Sequence, residues 1–343
     1  MMNRRNFIRS GTLAAAAPAM PAAPKVTLRD KFFGCIAGCH IGSSMGAAVE
    51  GWPFERIEQT YGTVDRLMSY EHYGNKWKRE PGTTEDGVER QKLMITAIIE
   101  KQDRVTAEDV RKIWVRDIKP ESAGMVSEPF EATLLAMAKT PIPAVDLGKY
   151  CDYAGLVSMA RSCHPIGLIN AGDVAGATRP DATVDSVIGT IMDNAERSVA
   201  REIDRALKRT ASARDFRELR QIFASMYGGH GIPYAAAYAN EVVTKGVCVF
   251  RMTKGNLKDT IIAAVNMGRD TDCLAAVSAG IAGALTGSAS LPEEWIKQVD
   301  YATTLNKYTN SQRTLREHAD GLYNAFKARL RRMKAYAEQM DVA

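Results

Sequence analysis

Between Thr27 and Glu50 a glycine returns at every fourth position, at Gly34, Gly38, Gly42 and Gly46, in a run that otherwise reads as helix. Four-residue spacing puts all of them on one stripe of that helix. Each isolated glycine costs a helix about 1 kcal/mol relative to alanine. The stripe therefore needs a compensating contact, either another helix or a ligand approaching the bare backbone closely. A second small-residue segment, Asp272–Gly287, carries two such rows, Ala276–Gly280–Ala284 and Ala279–Gly283–Gly287. The two segments are predicted to pack against each other at the centre of the fold, with close packing the main use of both stripes.

The rest of the chain also reads as helical. Thr27-Leu28-Arg29-Asp30 resembles a capping box that opens the first helix. Helices are expected near 88–101, 107–118, 127–138, 146–162, 182–208, 213–226, 233–245, 256–266, 271–286 and 311–338. Strand-like alternation is confined to Val247–Met252. With 343 residues, 45% hydrophobic and 25% charged, the composition excludes a disordered, collagen-like or coiled-coil chain. One all-α domain with a central helical core is the reading adopted. No apolar run is long enough to span a membrane. Residues 51–84 lack a helical period and hold Trp52, Phe54, Tyr61, Tyr70, Tyr73 and Trp77. Such a segment suits either stacking on sugar rings and bases or a small satellite core. The basic last helix, with Lys327, Arg329, Arg331, Arg332 and Lys334, reads as a solvated face.

Residues 1–23 read as a leader and 24–343 as the folded domain. Arg4-Arg5-Asn6-Phe7-Ile8-Arg9 is a twin-arginine pair followed by apolar residues, and small-residue cleavage patterns end near Ala19 and Ala23. This is the pattern of a twin-arginine export signal, the alternative being a basic tail. It implies the twin-arginine export machinery as a partner and a periplasmic or secreted location. Proteins on that route cross already folded, so an oxygen-ligand metal site can be filled beforehand, away from competing zinc and copper. The net charge of +5 falls to +2 without the leader's arginines. The domain therefore has no global charge that would attract nucleic acid or anionic lipid.

Cys35, Cys39, Cys151, Cys163, Cys248 and Cys273 sit mostly among apolar or small residues, without a dense framework. They are expected to be free and buried. Cys35 and Cys39 share a helix face, but no matching pair completes a zinc site.

Two short acidic segments carry most of the chemistry. Gly82-Thr83-Thr84-Glu85-Asp86-Gly87 and Gly268-Arg269-Asp270-Thr271-Asp272-Cys273 each stand directly before a helix. One carboxylate at a helix start is ordinary capping. Two exceed that need. If the segments meet, Glu85, Asp86, Asp270 and Asp272 form a cluster of negative charge that two divalent cations would balance, and all-oxygen ligands favour magnesium, manganese or calcium. Spacing alone leaves double capping and a metal site both open. Asp270 and Asp272 converge only if Asp270 precedes the first helical turn.

Three of these motifs, in this order, resemble the ADP-ribosylglycohydrolase family, which includes dinitrogenase reductase-activating glycohydrolase. The glycine-rich helix from Gly34 to Gly46 followed by Glu50, the segment Thr84-Glu85-Asp86, and Asp270-Thr271-Asp272-Cys273 before a small-residue helix carry the resemblance. Ile232-Pro233-Tyr234-Ala235-Ala236-Ala237 also looks like a family helix. The likeness runs from Leu28 to Gly287. It implies an all-α, orthogonal multi-helix bundle with one or two Mg2+ or Mn2+ ions holding a ribosyl diol. By position it implies Thr84, Glu85, Asp86, Asp270, Asp272 and Cys273 as metal-site residues, and Glu50, Asp86 and Asp270 as catalytic residues. Glu50 would position or deprotonate water, unless it is only a carboxylate at a helix end. Three positions depart from the family pattern: Glu85 replaces an aspartate, Cys273 a ligating threonine, and Ser43 the aspartate of some members. A neutral thiol is a poor ligand for a hard ion, so the departures bear on the number of metals and on the substrate.

Tyr227-Gly228-Gly229-His230-Gly231 reads first as an interhelical loop, and the stretch from Cys163 to Asp173 as a polar connection. Tyr227, His230, His164, Asn170 and Asp173 are nevertheless candidate substrate contacts. No nucleophile elbow, P-loop or dinucleotide fingerprint is present. The resulting expectation is an exported metal-dependent glycoside hydrolase acting on a small glycoside or ADP-ribosyl substrate. A turnover-deficient carbohydrate or nucleotide binder, and a metal-dependent phosphoester hydrolase, are the rivals.

Overall fold

The computed structural model describes residues 26–71, 78–118, 129–150, 157–172, 176–228, 237–306 and 312–340. The leader, Tyr73, Trp77, Cys151, Asp173, His230 and residues 232–236 lie outside them.

The described chain is built from helices: α1 (Leu28–Ala47), α2 (Phe54–Tyr61), α3 (Asp86–Lys101), α4 (Ala107–Asp117), α5 (Pro129–Ala138), α6 (Ala144–Leu147), α7 (Ser158–Ser162) and α8 (His164–Ile169), then α9 (Val184–Asn194), α10 (Arg197–Arg209), α11 (Phe216–Tyr227), α12 (Ala239–Met252), α13 (Leu257–Val265), α14 (Thr271–Thr286), α15 (Glu293–Leu305) and α16 (Leu315–Gln339). One two-stranded hairpin, β1 (Tyr70–Glu71) antiparallel to β2 (Lys78–Arg79), interrupts them, with Tyr70 opposite Arg79.

The axis of the fold is α1 against α14, the most extensive helix pair among the described residues. A Cβ on Gly34 would stand 2.8 Å from Gly283 O. On Gly38 it would stand 2.7 Å from Ala279 O, on Gly42 2.8 Å from Ala275 O, and on Gly46 2.5 Å from Thr271 O. One partner ascends by fours as the other descends by fours, so the helices run antiparallel with their backbones in contact. Of the two rows on α14, the one facing α1 is Ala275–Ala279–Gly283–Gly287. The Ala276–Gly280–Ala284 row lies to one side of this contact: Ala276 clusters with Cys39 of α1 and Val88 of α3, and Gly280 makes room for the His164 ring. Around this seam Phe32, Ile36, Ile41, Met45, Phe250, Val247 and Leu274 are buried in the main core. A smaller cluster of Leu93, Ala97, Ile113, Ile118 and Leu135 joins α3, α4 and α5.

Several boundaries differ from the sequence expectation. Val247–Met252 is the second half of α12 rather than a strand. A helix buried nearly all round loses its polar face, and with it the period that distinguishes it from a strand. Residues 54–61, expected to be irregular, form the amphipathic α2, which buries Phe54 and Ile57. The helix expected over 182–208 is two, broken where Ala195 takes an extended conformation. Only half of the first capping box forms. Thr27 accepts from Asp30 N, while the Asp30 carboxylate accepts from Ser288 N and Oγ across the seam. In the basic last helix, Arg329 is buried and donates to Ile169 O.

The described cysteines are unpaired. Cys35, Cys39, Cys248 and Cys273 are buried and Cys163 is exposed. Burial pushes the Cys39 thiol up to about 12, which makes it inert as a thiolate ligand. No described helix is long and apolar enough to cross a membrane.

Candidate active site and metal centre

Packing along the seam brings the two acidic segments together. The turn after α1 is tied to the turn before α14: Gly51 N donates to Arg269 O and Arg269 N to Trp52 O, both at 2.8 Å. Thr271 Oγ1 donates to Gly46 O at 2.8 Å. Gly268 and Arg269 both take positive φ, and a Cβ on Gly268 would stand 2.6 Å from Phe54 N. Only glycine fits there. Arg269 tolerates its left-handed backbone while its guanidinium grips Glu241 at 2.7 and 2.9 Å. The result is Asp270 as a non-helical N-cap, its carboxylate accepting from Cys273 N, and Asp272 inside the first turn. Asp270, Asp272 and Cys273 therefore converge, with ligand atoms within 4.8 Å of one another. Glu50, in the turn after α1, adds its charge to the field that Asp270 feels.

The first acidic segment reaches the same place through an arginine. Arg161, buried on α7, donates from Nη2 to Asp86 Oδ1 at 2.6 Å and from Nη1 to Asp272 Oδ2. Arg90 takes the other oxygen of Asp86 at 2.9 Å, one helical turn along α3. Burial works against the Arg161 charge, but Asp272 and Asp86 outweigh it and hold the guanidinium well above its ordinary range. Glu85 points to the hairpin, where Tyr70 Oη and Arg79 Nη1 both donate to its Oε1, the latter at 2.7 Å. Thr84 Oγ1 donates to Glu89 Oε1 at 2.6 Å and accepts from Lys92 Nζ at 3.0 Å. Among the expected metal-site residues, the structure thus gathers Asp270, Asp272 and Cys273 directly. It joins Asp86 through Arg161 and engages Thr84 and Glu85 with other side chains.

The donor set at Asp270 and Asp272 suits a cation. Asp270 Oδ2 and Asp272 Oδ1 are buried and have no hydrogen-bond partner among the described residues. Burial, and then the neighbouring Asp272, push the Asp270 carboxyl well above the usual carboxylate range. Unpaired buried carboxylate oxygens are costly, and a divalent ion removes that cost. Burial also pushes the Cys273 thiol well above its ordinary range.

Of the expected substrate contacts, His164, Asn170 and Tyr227 lie among the described residues and engage other groups. His164 and Asn170 share the wall of a mostly apolar cavity of about 480 Å3, with Cys163, Thr190, Asn194 and Val277, and none of the acidic residues lines it. His164 Nδ1 lies 3.0 Å from Arg161 O, so it supports the arginine's backbone. Asn170 accepts from Arg104 and donates to Ile166 O. Tyr227 is buried and donates to Glu202 at 2.5 Å. Of the aromatic segment, Trp52 stacks on Tyr61 beneath Arg56, and Tyr70 is buried against Glu85. Arg161, Arg90, Arg79 and Gln91 had no part in the sequence reading. The available signal was Gly87 directly after Asp86: a Cβ there would land on Arg161 Nε.

Fold and cluster together define an all-α protein with acidic side chains gathered at the N-termini of two helices, the buried Asp270 and Asp272 among them. The ADP-ribosylglycohydrolase family model matches residues 24–331, and the chain belongs to that family. The family is generally metal-dependent, and the buried Asp270–Asp272–Cys273 group can bind a metal. An uncharacterized protein of Archaeoglobus fulgidus is 22% identical over 299 residues, spanning 79% of this chain and 92% of its own length. The uncharacterized protein YegU of Escherichia coli is 22% identical over 334 residues, spanning 81% and 97%. A solved ADP-ribosylglycohydrolase-related protein complex has the same fold, with a TM-score of 0.54 at 18% identity over 87% of this chain and 99% of that one.

Proposed function

We propose that this protein is an exported, divalent-cation-dependent glycoside hydrolase that cleaves a ribosyl-type N- or O-glycosidic bond in a small glycoside or ADP-ribosyl substrate. The observation that carries the reading is the buried pair Asp270 and Asp272, each with an unpartnered carboxylate oxygen, on the matched family scaffold. Asp270 and Asp272 would hold the ion, Mg2+ or Mn2+, with Cys273 beside it. Bound there, such an ion would orient the sugar's vicinal hydroxyls and offset charge developing on the substrate. Glu50 takes the proton of the attacking water. Water oxygen bonds to the anomeric carbon as the bond to the leaving group breaks, and that electron pair departs with the leaving group. Asp270 and Asp86 keep the acidic frame in register, Asp86 through Arg161.

Export rests on Arg4-Arg5 and the small-residue stretch that follows, and implies a periplasmic or secreted enzyme. Replacing both arginines by lysine should retain the protein in the cytoplasm; unchanged export would remove this part of the reading.

The test of activity is turnover of ADP-ribosylated peptide and of chromogenic ribosides with Mn2+ or Mg2+, in wild type and Glu50→Gln. The expected result is release of free ADP-ribose or ribose, stopped by chelator and reduced at least 100-fold in Glu50→Gln. A second reading, a binder without turnover, is favoured by the engagement of Thr84 and Glu85 with Glu89, Lys92, Tyr70 and Arg79. Tight ADP-ribose binding with no bond cleavage would replace the hydrolase by the binder. Phosphate release with the glycosidic bond intact would replace it by a phosphoester hydrolase.

A further inference from the structure

We propose that Arg161 is a built-in counter-ion standing in for one of the two divalent cations that the four acids would otherwise require, so that the centre takes a single ion on its Asp270–Asp272 side. The inference rests on the metal-centre reading above and specifies it.

The guanidinium bridges carboxylates from two separate elements, Asp86 at the start of α3 and Asp272 at the start of α14. Joining acids from distant stretches of chain is the task of a bridging cation, and a planar fork performs it with fixed geometry. The space is provided for it. Gly87 leaves the volume that the Arg161 Nε region fills, and any side chain at that position would displace it.

The arginine is also held from behind. Arg161 O accepts from Gln91 Nε2 at 2.6 Å and from His164 Nδ1 at 3.0 Å. Gln91 Oε1 in turn accepts from His40 Nε2 at 2.9 Å, and this ring is fully buried. The next residue, Ser162, donates to Gly87 O at 2.8 Å, pinning α7 to α3 beside the fork. A surface ion pair has none of this support.

The charge distribution agrees. Glu85 has Arg79, Asp86 has Arg90 and Arg161, and one oxygen of Asp272 has Arg161. The buried carboxylate oxygens without partners, Asp270 Oδ2 and Asp272 Oδ1, are those of the other side. A second cation between Asp86 and Asp272 would have to expel a buried, doubly paired guanidinium. Arg161 acts on the substrate only through the carboxylates it fixes, which makes it a positioning residue.

Manganese stoichiometry decides the matter, read by equilibrium dialysis and electron paramagnetic resonance on the full chain. Wild type should bind one Mn2+ with an uncoupled spectrum. Arg161→Ala should bind a second ion, with the spectral broadening of two coupled ions. Gly87→Ser, which evicts the guanidinium without removing its charge, should do the same. Circular dichroism reports whether each variant is folded, and the wild-type count is decisive even if neither is. Two ions in wild type, or equal counts with and without the guanidinium in place, would overturn the role of Arg161. No ion bound by wild type would instead defeat the metal-centre reading, so the two failures are distinct.

Discussion

Gly46→Ala probes the point where the helix seam meets the acidic turn before α14. A Cβ at Gly46 would stand 2.5 Å from Thr271 O and 2.6 Å from both Cα and N of Asp272. Carbon and carbonyl oxygen ordinarily approach to about 3.3 Å, so the backbone carrying Asp272 must retreat by roughly 0.8 Å. Overpacking of this kind costs about 1–3 kcal/mol. The better helix propensity of alanine returns at most about 1 kcal/mol. The net expectation is a loss of about 1–2 kcal/mol in urea denaturation with chelator present. Functional constellations tolerate only about 0.5 Å of misplacement, so manganese affinity should also fall at least tenfold, about 1.4 kcal/mol. Gly189→Ala is the matched control. Gly189 lies within α9 and a Cβ there meets nothing within 4 Å, so this variant should gain about 0.5–1 kcal/mol. If Gly46→Ala equals or exceeds wild type in stability and binds manganese within twofold, the close seam does not set the site.

Asp270→Asn keeps a competent N-cap while removing a buried carboxyl group that burial and Asp272 disfavour as an anion. It should raise the melting temperature in chelator and abolish the stabilisation that millimolar Mn2+ confers on wild type; an unchanged Mn2+ response would contradict the ligand assignment. Lys92→Met leaves Glu89 buried without its cation and should cost about 3–5 kcal/mol by denaturation; a loss below about 1 kcal/mol would show that the pair is not structural. Burial holds the pKa of both His40 and His318 well below the ordinary histidine value, aided by Lys92 and His164 at His40, and by the His40 ring, Lys92 and Arg313 at His318. The unfolded chain therefore binds the extra protons first, and stability should decline as pH falls below about 6.5, by up to about 1.4 kcal/mol per pH unit for each ring. Denaturation at pH 7.5, 6.5 and 5.5 tests this; a flat profile, or one unaltered in His318→Leu, would refute it.

Much of the scaffold was legible because its signals are local. Glycines four apart need a bare helix face, and the seam of α1 and α14 follows from that alone. Thr106 and Asp109, or Thr314 and Glu317, cap their helices through residues three apart. The strand-like reading of Val247–Met252 failed because a helix buried on all sides has no polar face to reveal its period. The acids themselves were legible at the two helix starts. Most of what they touch was not, since Arg161, Arg79 and Tyr70 come from other elements; only Arg90, four residues after Asp86 on α3, is a local partner.

The sequence by itself determined that two small-residue helices must meet backbone to backbone, and that paired carboxylates open two helices. Both are short-range consequences of side-chain size and charge. Tertiary structure decided how that charge is shared: Arg79 and Tyr70 on Glu85, Arg161 on Asp86, and Arg161 again on Asp272. Charge neutralisation acts through space over a few ångströms, and α7 reaches Asp86 and Asp272 only once the bundle has closed. Asp270 Oδ2 and Asp272 Oδ1 are the buried carboxylate oxygens left without a partner among the described residues.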